Sequence, residues 1–182
     1  MKTRLALGIL CCAAVPFAGE VAGVKMPDST TVEGKTLKLN GMGLREKLMF
    51  KVYVAGLYLE SPSKDAATVV SSEQIKQVRL HVLRRLKASQ VTEAIEEGFE
   101  KNSKEQMGTL NDRLKKFNAM FSDVADGDQI LMTYVPGKGT TVSLKGAEKG
   151  TVEGKDFADG LWNVWLGRDP VQEDLKKALL GG

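Results

Sequence analysis

The chain has 182 residues, a formal charge of +3, one histidine and two cysteines. That length suits one domain with a sizeable core. Lys2, Arg4, Cys11 and Cys12 all lie at the N-terminus, and the remainder is nearly neutral and cysteine-free, which gives no reason to expect nucleic acid and excludes a disulfide, a thiolate nucleophile and a cysteine-held zinc.

Met1 to Arg4 is a short basic start. An apolar run follows from Leu5 to Phe17, broken by Gly8 and Pro16, with small residues after it. This is the secretory pattern, and the run falls short of the ~20 residues a membrane-spanning helix needs. Residues 1–19 are therefore predicted to be a signal peptide, cleaved within 18–23, and residues 20–182 the exported domain. The expected location is periplasmic or secreted, with no stable membrane span after cleavage.

Thr31 to Leu39 reads as two short edge strands turning at Glu33-Gly34. Gly41 and Gly43 then mark the end of an element. Met49 to Glu60 is rich in Val, Tyr and Leu and predicts a central strand covered on both sides. Alternation puts Phe50, Val52, Val54 and Tyr58 on one face. Met49, Tyr53, Ala55, Leu57 and Leu59 take the other. Gly56 allows something to approach the sheet closely. Val78 to Leu83 predicts another strand. Ser89 is positioned to cap a helix running to Asn102, with Val91, Ile95 and Phe99 inward. Met107, Leu110, Leu114, Phe117 and Phe121 follow at helical spacing. Gln129–Val135 and Thr140–Lys145 read as strands joined by a turn at Pro136. Phe157, Leu161, Val164 and Trp165 mark a helix ending at Gly167. Asp169-Pro170 opens a last short one, with proline at a favoured first position. The order of strands and helices predicts an α+β domain, helices packed on an antiparallel sheet.

Most catalytic constellations are missing. His81 sits alone in a predicted strand and reads as a surface or packed residue. No phosphate-binding loop or dinucleotide fingerprint is present. Gly41-Met42-Gly43 reads as a turn. Glu93, Glu96, Glu97 and Glu100 fall mostly off the apolar stripe of their helix and read as solvated. Trp162 and Trp165 read as core. The small basic clusters, Lys35 with Lys38 and Arg84 with Arg85 and Lys87, read as solvated faces and strand edges.

The informative stretch is Leu39 to Glu60, which joins Arg45 to a strand carrying Tyr53 and Tyr58. An arginine fork suits a carboxylate or enolate oxygen, and a tyrosine hydroxyl adds a donor. At the mouth of an apolar sheet, these groups could hold the polar head of a greasy ligand. The plainer alternative pairs Arg45 with a nearby acid.

GMGLREK, FKVYVAGLYLE and FADGLWNVWLGRDPVQEDLKKALL, in this order and spacing, resemble the chalcone isomerase-like family and look closest to its bacterial exported branch. The resemblance covers nearly the whole mature chain. It implies an open-faced β-sandwich, a large antiparallel sheet backed by helices. The family's isomerases use an arginine for the developing enolate, a threonine and tyrosine to order a water, and an asparagine on the substrate. Arg45 matches the arginine. Aligning on Gly56 to Glu60 puts Tyr53 at the threonine, Val91 at the tyrosine and Gly98 at the asparagine. Other members resemble fatty-acid binders that hold a carboxylate with arginine and tyrosine, and Arg45 with Tyr53 fits them better. The expectation is a monomeric, non-catalytic periplasmic binder of a small apolar anion such as a fatty acid. No metal or cofactor is expected. The alternatives are an isomerase (intramolecular lyase) with Arg45 as its catalytic group, acting on an unsaturated ketone, and a structural or interaction module.

Overall fold

Residues 17–182 are described in a computed structural model of the chain; residues 1–16 of the predicted signal lie outside them. Where turns are short, each strand can only fold back on the one before it. β1 (Phe17–Val21) and β2 (Val24–Pro27) form a separate hairpin. β3 (Ser29–Val32), β4 (Lys35–Lys47), β5 (Phe50–Leu59), β6 (Lys76–Val82), β7 (Gln129–Val135), β8 (Gly139–Leu144) and β9 (Ala147–Val152) then lie side by side in chain order, all antiparallel. The sheet is long and continuous, with β5 well inside it as its apolar faces require.

Helices occupy the longer connections. α1 (Ala66–Ser71) links β5 to β6. α2 (Ala88–Asn102) and α3 (Met107–Asn118) link β6 to β7. α4 (Lys155–Leu166) and α5 (Glu173–Leu179) follow β9. They back one face of the sheet, where Val78, Leu80 and Met132 meet Phe99, Phe117 and Trp162. Phe157 links the rings of Phe99 and Phe117, each centroid 5.4 Å from its own. Burying each such ring stabilises the fold by about 1.5–3 kcal/mol. The opposite face is covered over β4 and β5 by the β1–β2 hairpin, with Val24 and Met26 against Val54. The α+β architecture with a helix-backed antiparallel sheet is thus the one expected.

Gly56 does what its missing side chain suggested. A Cβ there would lie 2.5 Å from the sulfur of Met26, so the glycine seats the hairpin on the sheet. Gly41 and Gly43 behave otherwise than expected. They do not end an element or form a turn but lie inside β4, whose thirteen residues run on to Lys47. A Cβ on Gly41 would sit 2.1 Å from the Ala178 carbonyl oxygen, and one on Gly43 would sit 2.7 Å from Ala178 Cβ. The two glycines let α5 lie directly on the strand. Asn40 locks that contact, its amide donating to the carbonyls of Ser63 (3.0 Å) and Leu179 (2.8 Å).

Several boundaries also move. Ser89 is inside α2 and does not cap it. Instead Gln90 accepts from the Lys87 N–H (2.9 Å), and Asp123 accepts from the Ala88 N–H (3.0 Å). Phe121 is buried beyond the end of α3. Pro170 starts no helix: α5 begins at Glu173, because Gln172 is held in extended backbone by contacts to β4. β1, β2, β9 and α1 carry no strong apolar period and were not anticipated.

α1 ends on a buried cation. Lys76 is fully buried in β6, and its ammonium donates to the carbonyls of Val69 (2.9 Å), Val70 (2.5 Å) and Ser72 (3.2 Å). These are carbonyls a helix end leaves without partners. The rings of Tyr134 and Trp162 lie 5.4 and 5.5 Å from it. Burial, opposed by the nearby acids Asp159 and Glu73, pulls its pKa down to about 8.

Two outcomes follow from this packing. Gly41→Ala is expected to lower stability in urea melts by about 1–3 kcal/mol, because α5 must lift off the strand. Lys76→Met should destabilise by about 1–3 kcal/mol, because the Ser72 carbonyl loses its donor while those of Val69 and Val70 keep only Ser72 Oγ and Lys155 Nζ. Its pH dependence has a definite sign. The unfolded lysine keeps its proton up to about 10.5 and the folded one only up to about 8, so wild-type stability should rise with pH across that window. The same melts on Lys76→Met should lack that rise.

Candidate functional site

A cavity of about 440 Å³ lies between the helix-facing side of β5–β6 and helices α2 and α4. Its floor is apolar, built by Val52, Leu80, Val82, Ile95, Ile130 and Val164. Its rim is mixed, with Arg45 and Lys47 from the end of β4, Arg84, and Glu97 with Lys101 from α2.

Local strand geometry decides what faces this space. Arg45 pairs with Tyr53 across the β4–β5 ladder, but the next pair is Glu46 with Lys51. Val52 is therefore an extra residue, a β-bulge. A bulge shifts the alternation of everything beyond it by one position. Phe50, Val52 and Tyr53 consequently all line the cavity, while Val54 faces the β1–β2 hairpin. Strict alternation, which grouped Phe50 and Val52 with Val54, is overturned at this point. The Val52 carbonyl accepts from the Leu83 N–H at 3.0 Å.

The two residues singled out from the sequence, Arg45 and Tyr53, are brought together as a cross-strand pair on the cavity wall. Arg45 is half-buried. Its Nη1 donates to the Glu46 carbonyl and to the Gln172 amide oxygen (3.2 Å). Gln172 also accepts from the Glu46 N–H at 2.9 Å, so the segment before α5 steadies the guanidinium. Among the described residues no carboxylate forms an ion pair with Arg45, and its guanidinium also acts on the neighbouring Tyr53 hydroxyl through charge and hydrogen bonding. The plainer alternative, an arginine neutralised by a neighbouring acid, is not what the geometry shows.

Tyr53 accepts a hydrogen bond from the indole N–H of Trp165 at 3.0 Å. Indole only donates, so the phenol keeps its own proton for another acceptor. Burial raises the Tyr53 pKa, outweighing the opposing pulls of Trp165 and Arg45. The hydroxyl is thus a neutral donor beside a fixed cation. Trp165, expected only as core, is the residue that orients it. No spacing linked Trp165 to Tyr53, because 112 residues separate them.

On the facing rim, Glu97 and Lys101 form an i,i+4 pair at 2.8 Å. That contact holds the Glu97 carboxylate below the usual range, with smaller pulls from Lys47 and Arg45. Tyr58 points to the opposite face and donates to the Pro27 carbonyl at 2.9 Å. His81 lies in β6 and does not line the cavity. Among the described residues, no cluster of histidine and carboxylate side chains could hold a metal ion, and no helix is long and apolar enough to cross a membrane.

The chalcone isomerase-like family model matches residues 18–181. The chain belongs to the chalcone isomerase-like family. Among solved structures it is similar to a fatty-acid binding protein from Arabidopsis thaliana, with a TM-score of 0.72, 16% identity, and coverage of 91% of this chain and 96% of that one. At that identity the likeness establishes the fold. No curated protein matches the sequence significantly.

Within this chalcone isomerase-like protein, α2 gives the cavity Val91 and Gly98, the residues that the sequence resemblance sets against the isomerase tyrosine and asparagine. Gly98 is also a packing position, where a Cβ would sit 2.8 Å from Val164. That wall offers a ligand neither a hydroxyl nor an amide side chain from these positions.

Tyr53→Phe tests the arrangement. It leaves the Trp165 N–H without its acceptor, which should cost about 1–3 kcal/mol in a urea melt. Because the folded phenol titrates above its ordinary value of 10.0, its contribution is complete below that pH and is lost as pH rises through the folded value. Tyr53→Phe should therefore remove part of the alkaline decline in stability, read from melts taken on either side of pH 10.

Proposed function

We propose that this protein is a non-catalytic binder of a small apolar anion, such as a fatty acid, acting in the periplasm or outside the cell. Arg45 and Tyr53 take the carboxylate, and the apolar floor between the sheet and α2–α4 takes the chain. The observation that carries this reading is the pairing of a half-buried arginine lacking an acidic partner with a neutral phenol donor, both on the wall of a cavity whose floor is apolar. A carboxylate supplies the missing charge and accepts both donors; charge-assisted bonds of this kind are the stronger ones. The cavity volume falls in the usual range for small-ligand sites. The fatty-acid binding protein that shares the fold supports the same choice.

Isomerisation of an unsaturated ketone asks for more than a cation. A developing enolate is stabilised by several donors aimed at one oxygen, together with an ordered water. Val91 and Gly98 provide none of that hydrogen bonding through their side chains.

Native purification followed by denaturing mass spectrometry should release a stoichiometric fatty acid. Titration of the delipidated protein with a fatty acid should show Arg45→Ala binding roughly 10- to 150-fold more weakly, the loss of about 1.5–3 kcal/mol of charged hydrogen bonding. Circular dichroism should be unchanged. Equal affinity in the two proteins would remove Arg45 from the site. Turnover of a chalcone that disappears in Arg45→Ala would replace the binder with an enzyme.

A further inference from the structure

Four two-residue hairpin turns occur among the described residues: Ala22-Gly23, Glu33-Gly34, Leu48-Met49 and Lys145-Gly146. All eight positions have positive φ, as the twist of adjoining strands requires. Three of the turns place glycine second, where φ is 75° to 82°. The fourth has no glycine. Leu48 and Met49 adopt φ of 50° and 66°, a conformation that branched and long side chains resist.

The same two side chains stand in water. Leu48 is 83% exposed, Met49 96%, and the adjacent Phe50 59%. These three are the exposed large hydrophobic side chains among the described residues. The turn therefore carries backbone strain and exposed apolar surface together, and Asn-Gly would relieve both. The fold does not need this turn to be apolar.

Its surroundings say what does. Lys47 and Lys51 flank the tip, and the Arg84 guanidinium lies 4.6 Å from the centre of the Phe50 ring. Arg85 and Lys87 follow Arg84, with Arg85 near Asp123 at 3.7 Å. The acids facing this end are Glu46, opposite Lys51, Asp169 at the cavity mouth, and Glu93 and Glu97 on the α2 rim, the last engaged by Lys101. Lys47, Lys51, Arg84 and Lys87 form no ion pair among the described residues.

We propose that the Leu48–Met49 tip is a membrane-docking element, inserting its apolar side chains among the lipids of an anionic bilayer while the basic collar meets the headgroups. A projecting three-residue apolar tip is too small for a stable protein interface. Ringed by cations, it has the make-up of an interfacial lipid contact. Leu48 and Phe50 also line the cavity, so docking brings its mouth to the bilayer surface; that last step alone rests on the fatty-acid reading.

The test is flotation of the purified protein, its N-terminus established by intact mass, with phosphatidylglycerol-containing vesicles and with pure phosphatidylcholine vesicles. Wild type should float with the anionic vesicles only, and less so as salt is raised. The double variant Leu48→Asn with Met49→Gly should partition about tenfold more weakly or less. Its melting temperature should rise, because the turn gains its preferred residues. A merely structural tip would instead lower it. Failure of wild type to float, or equal flotation of the double variant, overturns the proposal. So does self-association by light scattering that the double variant abolishes, since the tip would then be a contact between copies. A protein that floats but carries no fatty acid overturns only the ligand reading.

Discussion

The extra residue in β5 at Val52 governs the geometry of the whole site. Without it, alternation would turn Phe50 and Val52 away from the helices and onto the face that the β1–β2 hairpin covers. With it, Phe50, Val52 and Tyr53 all look into the space under α2, and Tyr53 stands directly across the ladder from Arg45. A bulge costs one ladder position and unpairs little else. In exchange, the strand that is most deeply apolar near its middle becomes a cavity wall at its start.

A second bulge, at Asn40 in β4, orders the other end of the same strand pair. Asn40 holds the last turn of α5, and Gly41 and Gly43 remove the side chains that would keep that helix away. With α5 seated there, the residue before it, Gln172, reaches the turn at Glu46 and takes a hydrogen bond from Arg45. The position of the guanidinium thus depends on glycines two and four residues before it and on a helix from the far end of the chain. This is how an exposed-looking arginine becomes a fixed charge.

The cavity also explains why one end of the molecule tolerates unfavourable surface. The protein buries an apolar floor, keeps a cation without an acidic partner at its rim, and exposes an apolar hairpin tip beside it. Each feature is costly in water by itself. Together they mark the end at which we propose that an apolar anion binds. At the opposite end, Lys76 is enclosed by three carbonyls and two aromatic rings and closes the end of α1 instead.

Much of this was legible in the residues alone. The apolar run of β5, the helical spacing of Leu110, Leu114 and Phe117, the turn at Pro136 and the helix ending at Gly167 are local signals, and each produced the element expected of it. Arg45 and Tyr53 stood out because their chemistry is uncommon next to an apolar strand, and their neighbourhood carries the family resemblance. What no local pattern contained was contact between distant segments. Gly41 and Gly43 looked like a turn because the α5 backbone that rests on them lies about 135 residues further along. Trp165 looked like core because its indole N–H meets Tyr53 only after α4 packs on β5. The faces of β5 were misassigned at Phe50 and Val52 because a bulge depends on how two strands register and leaves no mark in the alternation of one. Sequence determined the strands and helices that carry a strong apolar period and which residues could hold an anion; tertiary packing decided the weakly patterned β1, β2, β9 and α1 and which side chains share a cavity, because strand register and close backbone approach arise only between segments.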